Sequence, residues 1–198
     1  MPQYFDNVEE LGHKDITIHA EVNGRAYSYK SDLGLFSKDS LDDGTRLLLE
    51  TIAQVDLGKE ILDLGCGAGP IGLILASTDP NRHVCLSDVN RRALELVKQN
   101  AVSMGVSKQI ETVDSDVYTN IDSTYDTIVS NPPIRAGKRV TYRIYDEAPS
   151  YLKDKGRLII VIRKKQGAES VLAHLKEIFK EAKVIESHKG YQVIVASK

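Results

Sequence analysis

The stretch "EILDLGCGAGPIG", residues 60–72, limits the fold more than any other part of the chain. A short apolar strand pattern runs into a glycine-rich turn. The apolar helix pattern "PIGLILAS" opens directly behind it, with Pro70 where a first-turn proline is tolerated. A buried strand that turns at once into a helix begins a β-α-β unit. Such units assemble into a parallel sheet with helices on both faces. After Gly58 the alternation repeats: "HVCLSD" reads as a strand, "NRRALELVKQNAVSMG" as an amphipathic helix, and "IETVD", "YDTIVS" and "GRLIIVI" as strands. "GAESVLAHLKEIF" reads as a last helix before "AKVIES" and "YQVIVAS" pair antiparallel around Lys189-Gly190. The expected core is therefore an α/β, Rossmann-like, mostly parallel seven-stranded sheet with a C-terminal antiparallel strand. Its ligand site belongs at the C-terminal ends of the strands.

Ahead of that core, Ile16, Ile18, Ala20 and Val22 alternate with polar residues, Asn23-Gly24 supplies a tight turn, and "RAYSYK" runs back. This predicts an N-terminal β-hairpin extension. "LDDGTRLLLETIAQV" predicts a helix capped by Asp42 or Asp43. At 198 residues the chain is expected to form one domain: residues 1–57 make the hairpin and a covering segment, and 58–198 the Rossmann-like core. A net charge of −2 argues against a general nucleic-acid coat protein. The polar N-terminus and the lack of a long apolar run predict no membrane association. The two cysteines, Cys66 and Cys85, have no metal-ligand spacing, so free thiols in a cytoplasmic setting and no metal are expected.

Residues Gly67, Gly69 and Gly72 spell G-x-G-x-x-G, and Asp88 follows Gly67 by 21 positions. That spacing matches the dinucleotide fingerprint, so an NAD-dependent oxidoreductase is one reading. Asp63 weighs against it, because a carboxylate beside the glycines repels a pyrophosphate. S-adenosylmethionine carries a sulfonium and an ammonium instead, and it suits Asp63. Gly65, Cys66, Gly67 and Gly69 then form the loop that the ligand approaches. Asp88, with Val89 beside it, accepts the ribose hydroxyls. Beyond the third core strand, Asp116 can accept from the adenine amino group, with Val117 against the ring. The bland alternatives are a capping role for Asp63 and solvated turn carboxylates at Asp114 and Asp116.

The strand "YDTIVS" ends on Asn131-Pro132-Pro133-Ile134. Two prolines hold a lone carboxamide on a stiff ledge. An amine on an aromatic ring is a poor nucleophile because its lone pair is delocalised. A carboxamide oxygen and the Pro132 carbonyl can take its two N–H bonds and favour pyramidal nitrogen. Those acceptors bind tightest as the nitrogen gains positive charge, and no strong base is required. The alternative is a strand end followed by a proline turn.

"ILDLGCGAG", Asp88, "SDVY" and "NPPI" together resemble the class I S-adenosylmethionine-dependent methyltransferases that modify exocyclic or amide nitrogens. "LGLFSKDSLDDGTRLLLETI" resembles the cofactor-covering segment of the ribosomal RNA small subunit methyltransferase C group, which makes N2-methylguanine in 16S rRNA. That resemblance implies the class I fold, S-adenosyl-L-methionine as cofactor, and rRNA within the small subunit as partner. It implies Asn131, Pro132, Pro133 and Ile134 as the catalytic motif, with Asn131 also near the cofactor. It further implies that Phe36, Ser37, Lys38 and residues 42–45, Gly44 and Thr45 among them, lie over the cofactor. Ile134 departs from the aromatic residue common at the fourth motif position, so no ring stacks on the base from there. Larger members of the group carry a second N-terminal domain.

Just beyond the ledge, Arg135, Lys138, Arg139 and Arg143 surround Tyr142 and Tyr145, and Arg163, Lys164 and Lys165 follow the fifth core strand. Basic groups among planar ones suit a splayed RNA base with clamped phosphates. N-P-P motifs also serve methylation of protein glutamine and of adenine in nucleic acid, and these remain alternative substrates.

Overall fold

The computed structural model of the protein describes residues 15–32, 40–133 and 136–198. The hairpin consists of β1 (Asp15–Val22) and β2 (Arg25–Asp32), paired antiparallel around Asn23 and Gly24, both at positive φ. Helix α1 (Asp43–Ile52) follows, with Asp42 as its cap and Leu47, Leu48, Leu49 and Ile52 buried.

The core runs β3 (Glu60–Leu64), α2 (Pro70–Thr78), β4 (His83–Asp88), α3 (Arg91–Ser103), β5 (Ile110–Asp114) and β6 (Tyr125–Ser130). It continues with α4 (Lys138–Tyr151), β7 (Leu152–Arg163), α5 (Ala168–Ile178), β8 (Glu181–His188) and β9 (Tyr191–Ser197). The sheet order is β5-β4-β3-β6-β7-β9-β8, and only β9 runs against its neighbours. The expected seven-stranded Rossmann-like sheet and the hairpin extension are both present.

Strand alternation divides the core into two layers. Ile61 of β3, Ile159 and Val161 of β7, and Tyr191, Val193 and Val195 of β9 pack with α1, α2, α3 and the hairpin. Leu62, Leu64, Leu158, Ile160, Ile162, Ile194 and Ala196 face the other way, onto α4 and α5. Asp63 shares the face of Ile61, which directs its carboxyl toward α2.

Helix α4 has no counterpart among the elements expected from the sequence. Its apolar positions, Val140, Ile144, Tyr145 and Ala148, do repeat at helical spacing. Pro149 in its last turn and a run of β-branched and aromatic residues conceal the pattern. The helix survives because Ile144, Tyr145 and Ala148 are buried against the sheet.

Candidate functional site

The turn after β3 is built from backbone hydrogen bonds. The N–H groups of Gly65 and Cys66 donate to the Ser87 carbonyl at 2.9 and 3.0 Å. That of Gly67 donates to Asp88 Oδ2 at 2.9 Å, and that of Gly72 to Asp63 Oδ2 at 2.8 Å. The four glycines serve two purposes. Gly65 and Gly67 sit at φ 73° and 54°, and a Cβ on either meets open space or only the edge of Pro133 at 3.9 Å. Gly69 and Gly72 are packing positions, where a Cβ would lie 2.9 Å from Val97 and 2.7 Å from Leu86 respectively.

The two acids differ. Asp63 is wholly buried, and while Oδ2 caps α2 through Gly72, Oδ1 has no hydrogen-bond partner among the described residues. Burial, only partly offset by the Gly72 N–H, pushes its carboxyl up to about 7, and nearby Asp88 adds to the rise. Asp88 lies at the open end of β4, with Oδ1 accepting from the Asn90 N–H at 2.9 Å and Oδ2 from Gly67. Burial raises its pKa, against the pull of those backbone donors. Cys66 is buried and its thiol is pushed well up by burial, so it fills the turn as a small apolar group.

Asp116 is exposed, but its carboxylate is engaged. Its Oδ2 accepts from Arg143 at 2.9 Å, and Arg143 also reaches Glu147 at 2.9 Å. A residue expected at the cofactor and one expected at the substrate thus pair with each other. Val117, buried at φ 55°, lies inside this corner, and Val89 follows Asp88.

The ledge carries a second network. Ser130 donates to the Leu64 carbonyl at 2.7 Å, tying the end of β6 to β3. Asn131 then donates through Nδ2 to Asp42 Oδ2 at 3.0 Å and to Thr45 Oγ1 at 3.1 Å. The same Asp42 oxygen caps α1 by accepting from the Thr45 N–H at 3.0 Å. Asp42 Oδ1 accepts from the Tyr191 hydroxyl at 3.3 Å, which itself accepts from Arg163 Nε at 2.7 Å. A carboxylate offers acceptors only, so the Asn131 amide must turn its NH2 inward. Its Oδ1 has no donor among the described residues. Pro132 is buried, and the Pro133 carbonyl accepts from Ala136 at 2.8 Å. Gly44 lies under Tyr191, where a Cβ would come within 2.7 Å of the ring.

The basic rim is narrower than expected. Lys138 and Arg139 are exposed at the start of α4, and Lys164 and Lys165 are exposed just after β7. Arg143 is held by its two carboxylates, and Arg163 lies against Tyr191, its guanidinium 4.8 Å from the ring centroid. Tyr145 is fully buried and unavailable for stacking, a correction that follows from its place on the inner face of α4. Tyr142 packs on Tyr145 and His174. Phe36, Ser37, Lys38, Ile134 and Arg135 lie outside the described residues. Sequence reasoning missed Tyr191 and the link between Asp42 and Asn131, because no local pattern joins residues 42, 131 and 191. An open cavity lined by Glu60, His83, Lys108 and Tyr125 lies at the opposite ends of the strands, away from both networks. Among the described residues, no group of acidic, His or Cys side chains gathers to hold a metal, and no helix is long and apolar enough to cross a membrane.

The profile of the methyltransferase small domain matches residues 26–195. Uncharacterized protein YbxB of Bacillus subtilis is 43% identical over 98% of this chain and 98% of its own length. Ribosomal RNA small subunit methyltransferase C of Vibrio vulnificus is 30% identical over 100% of this chain, which spans 56% of that relative. A solved T. thermophilus 16S rRNA N2 methyltransferase in complex with AdoMet and guanosine superposes with a TM-score of 0.81 at 23% identity. The match covers 93% of this chain and 50% of that one. A ribosomal protein L11 methylase from Lactobacillus delbrueckii superposes at 0.65 and 18% identity, over 80% and 83% of the two chains. At such identities the structural likeness speaks for the fold alone.

Proposed function

This chain belongs to the methyltransferase small domain family, and from that premise we propose that it transfers a methyl group from S-adenosylmethionine to N2 of guanine in 16S rRNA. The residues at the strand ends fit this cofactor. Gly65 and Gly67 leave open space where the backbone can be approached. Asp63 keeps one buried carboxyl oxygen without a partner among the described residues, which suits a ligand bearing positive charge and N–H donors. Asp88 has lone pairs left for ribose hydroxyls, and Val89 and Val117 offer apolar walls. An NAD-dependent oxidoreductase lacks such support, since the family is one of methyltransferases.

When bound, S-adenosylmethionine supplies an electrophilic methyl: the amine lone pair takes the carbon, sulfur keeps the bonding pair as a thioether, and the nitrogen's proton leaves to water. The chain's own part is to raise the nucleophilicity of that amine. Asn131 Oδ1 and the Pro132 carbonyl accept its two N–H bonds, which favours pyramidal nitrogen. Both acceptors bind more tightly as the nitrogen becomes positive, so they lower the barrier rather than merely adding affinity. The prolines and the Ser130–Leu64 bond fix these oxygens in advance, which spares reorganisation during the reaction.

The observation that carries this reading is the fixed turn of Asn131, with NH2 toward Asp42 and Thr45 and oxygen outward. Lys138, Arg139, Lys164 and Lys165 supply the phosphate contacts. So few cations give weak, salt-sensitive binding on their own, so the substrate is a folded small subunit or an assembly intermediate rather than short RNA. The test is tritiated methyl transfer to small subunits that lack the modification, followed by nucleoside analysis. N2-methylguanine is the expected product. Label in N6-methyladenine or in protein glutamine would overturn the guanine assignment.

A further inference from the structure

We infer that Asp42 is a positioning residue for the reaction: it holds the Asn131 carboxamide in the one orientation that presents oxygen to the amine. The inference rests on the reading of Asn131 given above. A carboxamide has two near-isosteric orientations, and only one is productive here. With Oδ1 outward it accepts an N–H from the attacking amine. With Nδ2 outward it presents a donor to a nitrogen that is gaining positive charge, which opposes the reaction. Something must choose between them, and neither proline touches the choice.

Asp42 makes it. Its Oδ2 lies 3.0 Å from Asn131 Nδ2, and a carboxylate cannot donate to the carboxamide oxygen of the flipped form. Thr45 alone would not decide, because its hydroxyl, 3.1 Å from Nδ2, can donate as readily as it accepts. Asp42 is itself fixed at three points. The Thr45 N–H and Asn131 share Oδ2, and the Tyr191 hydroxyl donates to Oδ1. Arg163 donates to the Tyr191 oxygen, which orients that hydroxyl's own proton toward Asp42. The chain Arg163–Tyr191–Asp42–Asn131 thus runs from the ends of β7 and β9 through the cap of α1 to the ledge. Helix capping by itself explains only the bond to Thr45. It needs neither Tyr191 nor a side chain long enough to reach Asn131.

That difference gives the test. Asp42→Ser keeps a competent helix cap but is too short to reach Asn131 as well, whereas Asp42→Asn keeps the reach but, able to donate as well as accept, no longer excludes the flipped carboxamide. With purified full-length protein and unmodified small subunits, D42S is expected to lower kcat about 10- to 100-fold, the loss of one charge-assisted hydrogen bond. KM and thermal midpoint should stay near wild type, and the rate of D42N should fall between those of wild type and D42S. A second readout needs no substrate: the side-chain nitrogen–proton correlation signals of Asn131, identified by their absence in Asn131→Ala. These should be displaced and slow to exchange in wild type, and move to free-carboxamide positions in D42S. Wild-type kcat in D42S, or Asn131 signals that D42S leaves in place, would overturn the inference. So would a loss of kcat that tracks a lowered thermal midpoint, because capping alone would then suffice. A wild-type protein that methylates no guanine overturns the functional reading instead, and the Asn131 signals still decide the role of Asp42.

Discussion

Asp63 is the residue whose behaviour in the empty protein is easiest to measure. Its folded pKa of about 7 stands above the ordinary 3.8, so between those values the native state holds a proton that the unfolded chain has lost. Stability must therefore fall as pH rises through that window and level off above it. Asp63→Asn should erase this slope. Its thermal midpoint relative to wild type should climb from about pH 5 to about pH 8, and parallel curves would show that the carboxyl is not perturbed. A ligand bearing positive charge should draw the proton off, so calorimetry near neutral pH in buffers of different ionisation enthalpy should record proton release on binding S-adenosylmethionine. Asp88 makes a complementary case. Asp88→Ala removes the ribose acceptors and frees the N–H groups of Gly67 and Asn90, so cofactor affinity should drop by roughly 10- to 100-fold. Unchanged affinity would remove Asp88 from the site.

At the scale of elements, the strand–turn–helix opening is where two glycine substitutions separate. Gly67→Ala puts a side chain at φ 54° into open space, so it should cost about 1–2 kcal/mol of stability and obstruct cofactor binding. Gly69→Ala adds to a similar strain a Cβ pressed to 2.9 Å from Val97, so denaturant unfolding should show the larger loss there. Elements of this kind were legible in the sequence because each is dictated locally: a glycine where φ is positive, a proline at a helix start, alternation where one face of a strand is buried. The hairpin, the strand order's raw material and the acids at the strand ends all belong to this class. Helix α4 was not legible, since Pro149 and its tyrosines outweigh a periodic face that only tertiary burial rewards. Nor was the pairing of Asp116 with Arg143, which lie 27 positions apart and meet only because α4 returns beside the turn after β5. The Asp42–Asn131–Tyr191 network is the extreme case, for its members come from three elements that only the finished sheet brings together.

At the scale of the molecule, the balance of charge separates two groups of basic residues. Lys138 and Arg139 are exposed, whereas Arg143 is already engaged by Asp116 and Glu147. Lys138→Glu with Arg139→Glu should weaken subunit binding and reduce the slope of log affinity against log salt by about two contacts, leaving cofactor affinity intact. Arg143→Ala should barely move that slope while loosening Asp116, which a binding assay over a salt series separates from the first variant. The sheet order carries a last consequence, for the chronology of synthesis. β9 follows every other strand along the chain yet lies inside the sheet, between β7 and β8. A nascent chain therefore exposes the glycine loop and the Asn-Pro-Pro ledge well before Tyr191 emerges to brace Asp42, and until then β7 keeps an open edge. A fragment stopped before β9 has nearly every residue the chemistry names but lacks the Tyr191 brace. The full Asp42 network is expected to close only once β9 has joined the sheet.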